Sequence, residues 1–177
     1  LSYQRVQFTS DMLPADLLGV SIFDNNQQEF TFHRGPVFSQ LLLADEINRT
    51  SPKTQSALLE AMAERQISVD GQTYALPDPF FVIATQNPTD HSGTHELPDS
   101  QLDRFMMRIS LGFPSVDAEK RMLMGEAVTE HEFPSLLDCT QLKQLQQQAA
   151  QVTASDAIYN YLLALVHETR ANNNYPH

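Results

Sequence analysis

The chain is short of positive charge: only 11 of its 177 residues are Lys or Arg, against 22 Asp or Glu, for a formal net charge of -11. Broad binding to nucleic-acid phosphates depends on clustered Lys and Arg, and no basic run occurs, so nucleic acid is not the expected partner. Lys53, Lys120 and Lys143 are the only lysines and none follows a glycine, so the phosphate-cradling G-x-x-x-x-G-K-[ST] loop is absent from these residues. Cysteine is almost missing too. Cys139 stands alone, which excludes an intrachain disulfide and fits a reducing, cytoplasmic compartment. No apolar run approaches the roughly 20 residues needed to cross a bilayer, and no basic segment with an apolar h-region opens the chain. What is present, 41% hydrophobic and 19% charged residues, is the balance of a globular protein with an ordinary core.

Within that balance, Leu41-Leu42-Leu43-Ala44-Asp45-Glu46 is the most informative stretch, an apolar run ending in two adjacent carboxylates. A strand buried on both faces reads as a continuous hydrophobic run, and ligands of open α/β sheets collect beyond the carboxyl ends of such strands. At that edge one carboxylate can hold Mg²⁺ while its neighbour prepares a water for attack on a phosphate. The alternative is a solvated Asp-Glu pair opening a loop, and the hexapeptide alone does not choose. Ser51-Pro52 then supplies an N-cap and a first-turn proline, followed by Ala57, Leu58, Ala61 and Met62 at helical spacing in residues 53–65. A second apolar run, residues 80–84, also turns polar at its end, in Thr85-Gln86-Asn87-Pro88. Two buried strands thus bring Asp45, Glu46 and Asn87 to one expected edge.

These blocks, with Leu97-Pro98 and Gln101-Leu102-Asp103-Arg104-Phe105 further on, make the sequence similar to the MoxR family of AAA+ ATPases. The resemblance rests on four ordered blocks and covers most of residues 1–112, and more weakly the helical remainder. It implies an α/β fold, the parallel-sheet core of an AAA+ P-loop NTPase with β-hairpin insertions, over residues 1–112, followed by part of a helical lid over 113–177. It also implies ATP and Mg²⁺ as cofactors. Asp45 maps onto the Walker B aspartate that supports the metal, Glu46 onto the glutamate that polarises the attacking water, and Asn87 onto sensor 1, where a neutral amide orients water or contacts phosphate. Arg104 falls where this clade has an arginine finger acting on a neighbouring subunit's nucleotide, a task suited to a planar, permanently charged fork. Its plain reading is an ion pair with Asp99 or Asp103, and for Asn87 it is a cap on the turn before Pro88. Arg49, close to the acidic pair in sequence, has two readings, contact with a neighbouring subunit or, more plainly, a local salt bridge.

The same resemblance implies a homo-oligomeric ring, usually a hexamer, and partners carrying von Willebrand A-type domains or other client proteins that are remodelled or assembled. The Walker A loop is expected upstream of Leu1 together with the central first strand, and the sensor 2 arginine beyond the last helix. The chain is therefore expected to be a fragment that binds ATP poorly and hydrolyses it negligibly. The competing reading is an inactive AAA+-like scaffold.

Elsewhere, residues 3–8 read as a strand, 14–18 as a short helix, and 20–23 with 30–33 as a hairpin about Asp24-Asn25-Asn26-Gln27-Gln28 whose Phe30 and Phe32 share one face. A second hairpin joins 66–69 to 72–75 through Asp70-Gly71, a type I′ signal that sets Ser68 opposite Thr73 and Ile67 opposite Tyr74. Each hairpin has two readings, structural closure or engagement of substrate in a ring pore. Residues 106–111 read as a further strand. Ser115 and Asp138 with Gln141 open helices, and Ile158, Tyr161, Leu162, Leu165 and Val166 form an amphipathic stripe. Asp90, His91, His95, Glu96 and Asp99 make an acidic-imidazole group that raises metal binding as a side reading, and Met106, Met107, Met122 and Met124 read as core and lid packing.

Overall fold

The computed structural model describes residues 1–87, 93–126 and 134–171. The chain divides into two compact units, Leu1–Pro134 and Ser135–His177. In the first, the strands β1 (Tyr3–Gln7), β4 (Leu41–Asp45) and β7 (Phe81–Ala84) form a parallel sheet in the order β1-β4-β7. The apolar run of β4 is central, paired on both sides, so its backbone donors and acceptors are satisfied along the whole strand. Register sets Arg5 beside Leu43 and Gln7 beside Asp45, and on the other side Ala44 beside Ala84. Leu42 and Ala44 point into a core with Phe8, Leu17, Val37 and Ile47. Helix α2 (Pro52–Glu64) contributes Leu58, Leu59 and Ala61 to that core. The expected cap is present: the Ser51 side chain accepts from the Thr54 amide, with Pro52 at the first helical position.

Both expected hairpins form. After helix α1 (Pro14–Leu18), β2 (Gly19–Asp24) pairs antiparallel with β3 (Glu29–Arg34). Gly19 has φ 114° and a Cβ there would lie 2.3 Å from the His33 carbonyl oxygen, so only glycine fits the start of this hairpin. The β5–β6 pair (Gln66–Val69, Gln72–Ala75) turns through Asp70 and Gly71, both at positive φ, with Ser68 opposite Thr73 and Ile67 opposite Tyr74. The Ser68 and Thr73 hydroxyls lie 3.2 Å apart. Phe32 stacks on Tyr74 at 4.3 Å between ring centroids, tying the two hairpins together. Phe30, by contrast, is 72% exposed against Phe23, so only half of the expected aromatic face is packed.

One expected strand does not form. Residues 106–111 are irregular, and Met106, Met107, Ile109 and Leu111 are exposed. A strand exists only against a hydrogen-bonding neighbour, and β7 is the last strand of the sheet among the described residues, bonded to β4 alone. Apolar, strand-forming side chains are therefore present without a ladder to join. The methionines expected in packing, Met106, Met107, Met122 and Met124, are likewise exposed. A short helix α3 (Asp99–Leu102) and helix α4 (Val116–Leu123), capped by Ser115 on the Ala118 amide, complete this unit.

The second unit holds α5 (Cys139–Ala150) and α6 (Asp156–Ala171). Asp138 and Gln141 form the expected reciprocal capping box, Gln141 N to Asp138 Oδ1 at 2.8 Å and Asp138 N to Gln141 Oε1 at 2.9 Å. No described residue of either helix is buried, so the stripe from Ile158 to Val166 is solvent-facing here. No helix among the described residues is long and apolar enough to cross a membrane.

Candidate active site

The carboxyl end of the sheet gathers the acidic pair as its residue types require. Asp45 closes β4, and the chain turns at Glu46 in the left-handed region, φ 55° and ψ 48°, before a single 3₁₀ turn over Ile47–Arg49. A non-glycine residue there stores roughly 1–2 kcal/mol, and such strain persists only where the surroundings fix it. The surroundings come from the end of β7. Ile47 N donates to the Thr85 carbonyl and Thr85 N to the Ala44 carbonyl, both at 2.9 Å, which zips the two strand ends together. Between those bonds the Thr85 hydroxyl donates to Asp45 Oδ1 at 2.5 Å and accepts from the Glu46 amide at 2.9 Å.

One further oxygen of each residue in the pair is held from β1. Arg5 pairs with Asp45 Oδ2 at 2.5 Å, and Gln7 Nε2 donates to Glu46 Oε2 at 2.8 Å. Arg49 reaches back to the same Glu46 oxygen at 2.9 Å, the local salt bridge of its plain reading. The Thr85 hydrogen bond, then that from Arg5, hold the Asp45 carboxyl below the usual carboxylate range; the Asp45 contact in turn raises the Arg5 guanidinium. Asp45 is thus an ionised, hydrogen-bonded carboxylate at a sheet edge.

Asn87 reaches this edge through its backbone. Buried Asn48, in the 3₁₀ turn, donates Nδ2 to the Asn87 carbonyl at 3.1 Å and its Oδ1 accepts from the Asn87 amide at 3.4 Å. Gln55 of α2, 1% exposed, donates to the carbonyls of Ile47 and His95 at 3.1 and 2.8 Å, bracing the same turn from below. Asp45 and Glu46 are adjacent at the end of β4, and Asn87 is tied to the turn that follows them through Asn48. Arg104 is placed apart from them. Its guanidinium donates to the Leu59 carbonyl, midway along α2, at 3.0 Å, beside a 250 Å³ pocket lined by Ser56, Glu60, Glu64 and Gln101. Its partner is a backbone carbonyl rather than Asp99 or Asp103.

Asp90 and His91 of the acidic-imidazole group, and Pro88, lie outside the described residues. Among the described residues no group of three His, Cys, Asp or Glu is placed to share a metal ion. Arg5, Gln7, Thr85, Asn48 and Gln55 were not singled out by the sequence. Arg5 and Gln7 alternate on one side of β1, a period-two signal, but only the parallel register reveals which carboxylates they meet.

The description "ATPase family associated with various cellular activities (AAA)" belongs to a family pattern that matches residues 1–107. Chaperone MoxR1 of Mycobacterium tuberculosis is 41% identical over 169 residues, covering 96% of this chain and 45% of that protein. The chain belongs to the MoxR family of AAA+ ATPases. The uncharacterised protein YeaC of Bacillus subtilis is 46% identical over 95% of this MoxR-family chain and 53% of its own length. The crystal structure of a candidate ATPase from Cytophaga hutchinsonii superposes with a TM-score of 0.80 at 38% identity, covering 95% of the chain and 52% of the other. The sheet, hairpins and helices described above are accordingly an α/β fold of the AAA+ P-loop type. The chain spans about half the length of the curated relatives it matches.

Proposed function

We propose that this chain carries the metal- and water-managing half of an ATP-hydrolysing site. The observation that supports it most is the pair at the end of β4: Asp45 ionised and hydrogen-bonded, and Glu46 presented on a strained turn beside it. The donor set suits Mg²⁺, a hard cation that takes carboxylate oxygen. Arg5 on Oδ2 is in effect a stand-in, a cation drawn to the oxygen that Thr85 leaves open. When bound, Mg²⁺ neutralises charge on the phosphates of ATP and helps orient the terminal one. Asp45 would hold it, Glu46 would orient and polarise the attacking water, and Asn87 would contribute its amide at the same edge.

The phosphate-cradling loop does not occur in these 177 residues, so the chain by itself should bind ATP weakly and turn it over negligibly. In the whole protein, residues 1–112 act as the α/β core and 113–177 as lid. Hydrolysis in a ring, a hexamer on the family resemblance, would drive remodelling or assembly of client proteins in the cytoplasm. The relative MoxR1 is named a chaperone, and a partner with a von Willebrand A-type domain belongs to the same proposal.

In such a ring Arg104 would leave the Leu59 carbonyl and serve a neighbour's nucleotide. Mixing Arg104→Ala subunits with Asp45→Ala subunits of the ATP-hydrolysing protein tests this. Each variant alone should be inactive, and the mixture should recover part of the turnover, because some interfaces then pair an intact Arg104 with an intact Asp45. No recovery overturns the action across subunits.

A further inference from the structure

We propose that Thr85 is the positioning residue of the acidic pair, its single hydroxyl fixing the Asp45 carboxylate and the Glu46 turn at once. The proposal rests on the roles given to Asp45 and Glu46 above. Its ground is that four hydrogen bonds converge on one residue. Backbone atoms of Thr85 bond to Ala44 O and Ile47 N on either side of the pair, and its hydroxyl bonds to Asp45 Oδ1 and Glu46 N between them.

The direction of the two side-chain bonds is fixed by chemistry. An ionised carboxylate only accepts and an amide N–H only donates, so the one hydroxyl proton goes to Asp45 and a lone pair receives the Glu46 N–H. Serine keeps the hydroxyl; valine keeps the branched shape, and its strand propensity, without it. Two consequences follow for the chemistry. With Oδ1 engaged by Thr85, Oδ2 is the oxygen turned to a cation, so Asp45 presents one defined ligand atom. With its amide anchored, Glu46 stays in the left-handed region, where its carboxylate meets Gln7 of β1 and Arg49.

The bonds are solvent-accessible, because Thr85 itself is exposed. Their loss should therefore disturb geometry more than stability. Partners that orient a metal-binding side chain are worth about 10- to 100-fold in activity or metal affinity when removed.

The test has two arms, each comparing Thr85→Val with Thr85→Ser. In the 177-residue chain, amide hydrogen exchange at Glu46 should accelerate by about tenfold or more in Thr85→Val, as a protected amide loses its acceptor, and stay near the parent rate in Thr85→Ser. In the ATP-hydrolysing protein, Thr85→Val should lower kcat by about 10- to 100-fold and raise the Mg²⁺ concentration needed for half activity, with KM for ATP little changed. Thr85→Ser should restore both. Exchange and turnover unchanged in Thr85→Val overturn the proposal, as does a Thr85→Ser protein as impaired as Thr85→Val, which would make shape the determinant. Should Thr85→Val not fold, Thr85→Ala against Thr85→Ser carries the same comparison. Glu46→Gln, assayed in parallel, separates the two ideas. If it retains full turnover the role of the pair fails, whereas an inactive Glu46→Gln beside a fully active Thr85→Val removes only the positioning role.

Discussion

At the residue scale, the site is built less by its charged residues than by neutral side chains that hold backbone in place. Gln55 is the clearest case. It is buried in α2 yet spends its amide on the carbonyls of Ile47 and His95, so the turn after Glu46 and the segment leading to α3 share one brace. A buried carbonyl left without a donor costs about 1–3 kcal/mol. Gln55→Leu, similar in size and apolar, should therefore destabilise the chain by about 2 kcal/mol, seen as a lower urea midpoint with an unchanged slope. A midpoint equal to that of the parent would mean that the carbonyls find other donors and that the brace is dispensable. The surface ion pairs are a different matter. Arg5 is 60% exposed opposite Asp45, and such pairs contribute little to stability.

At the element scale, two glycines show how the same backbone need has different consequences. Gly19 and Gly71 both sit at positive φ, but a Cβ on Gly71 meets nothing within 4 Å while one on Gly19 meets the His33 carbonyl at 2.3 Å. Gly71→Ala should lose about 1 kcal/mol, the cost of the left-handed region alone. Gly19→Ala should lose about 3 kcal/mol or more, since β3 must shift to clear the clash. Equal thermal shifts for the two would contradict the crowding. The elements themselves were largely legible. Asp70-Gly71 marks a turn because both positions want φ above zero, and Ser51-Pro52 marks a helix start because a side-chain oxygen and a ring without an N–H suit the first turn. Residues 106–111 failed because strand propensity is a property of side chains while a strand is a property of a pair, and among the described residues β7 is bonded to β4 alone, with no strand on its other side. In the same way the sequence carried Asp45, Glu46 and Asn87 to one edge through strand ends, but Arg5, Gln7 and Thr85 became visible only through register across β1, β4 and β7.

For the molecule as a whole, the sheet order explains why the acidic pair meets the side chains it does. β4 is central, so both neighbours deliver side chains to its carboxyl end: Arg5 and Gln7 from β1, Thr85 from the end of β7. Tyr3, Phe81 and Ile83 are exposed on the sheet, and, within the second unit, the stripe of α6 is open to solvent. A chain of this family that spans about half of its relatives thus combines a fully formed acidic edge with apolar surfaces of the kind that mark contact sites. The central claim is that this edge manages the water of ATP hydrolysis. Glu46→Gln keeps the size and hydrogen-bonding reach of the side chain and removes the charge proposed to polarise water. The deciding measurement is single-turnover ATP hydrolysis by the ATP-binding parent protein carrying that change, beside its ATP affinity. The account predicts hydrolysis slowed by about 10²- to 10⁴-fold, the usual worth of a positioned general base, with ATP affinity within about threefold of the parent, since uniform binding is untouched. Turnover at the parent rate would contradict it.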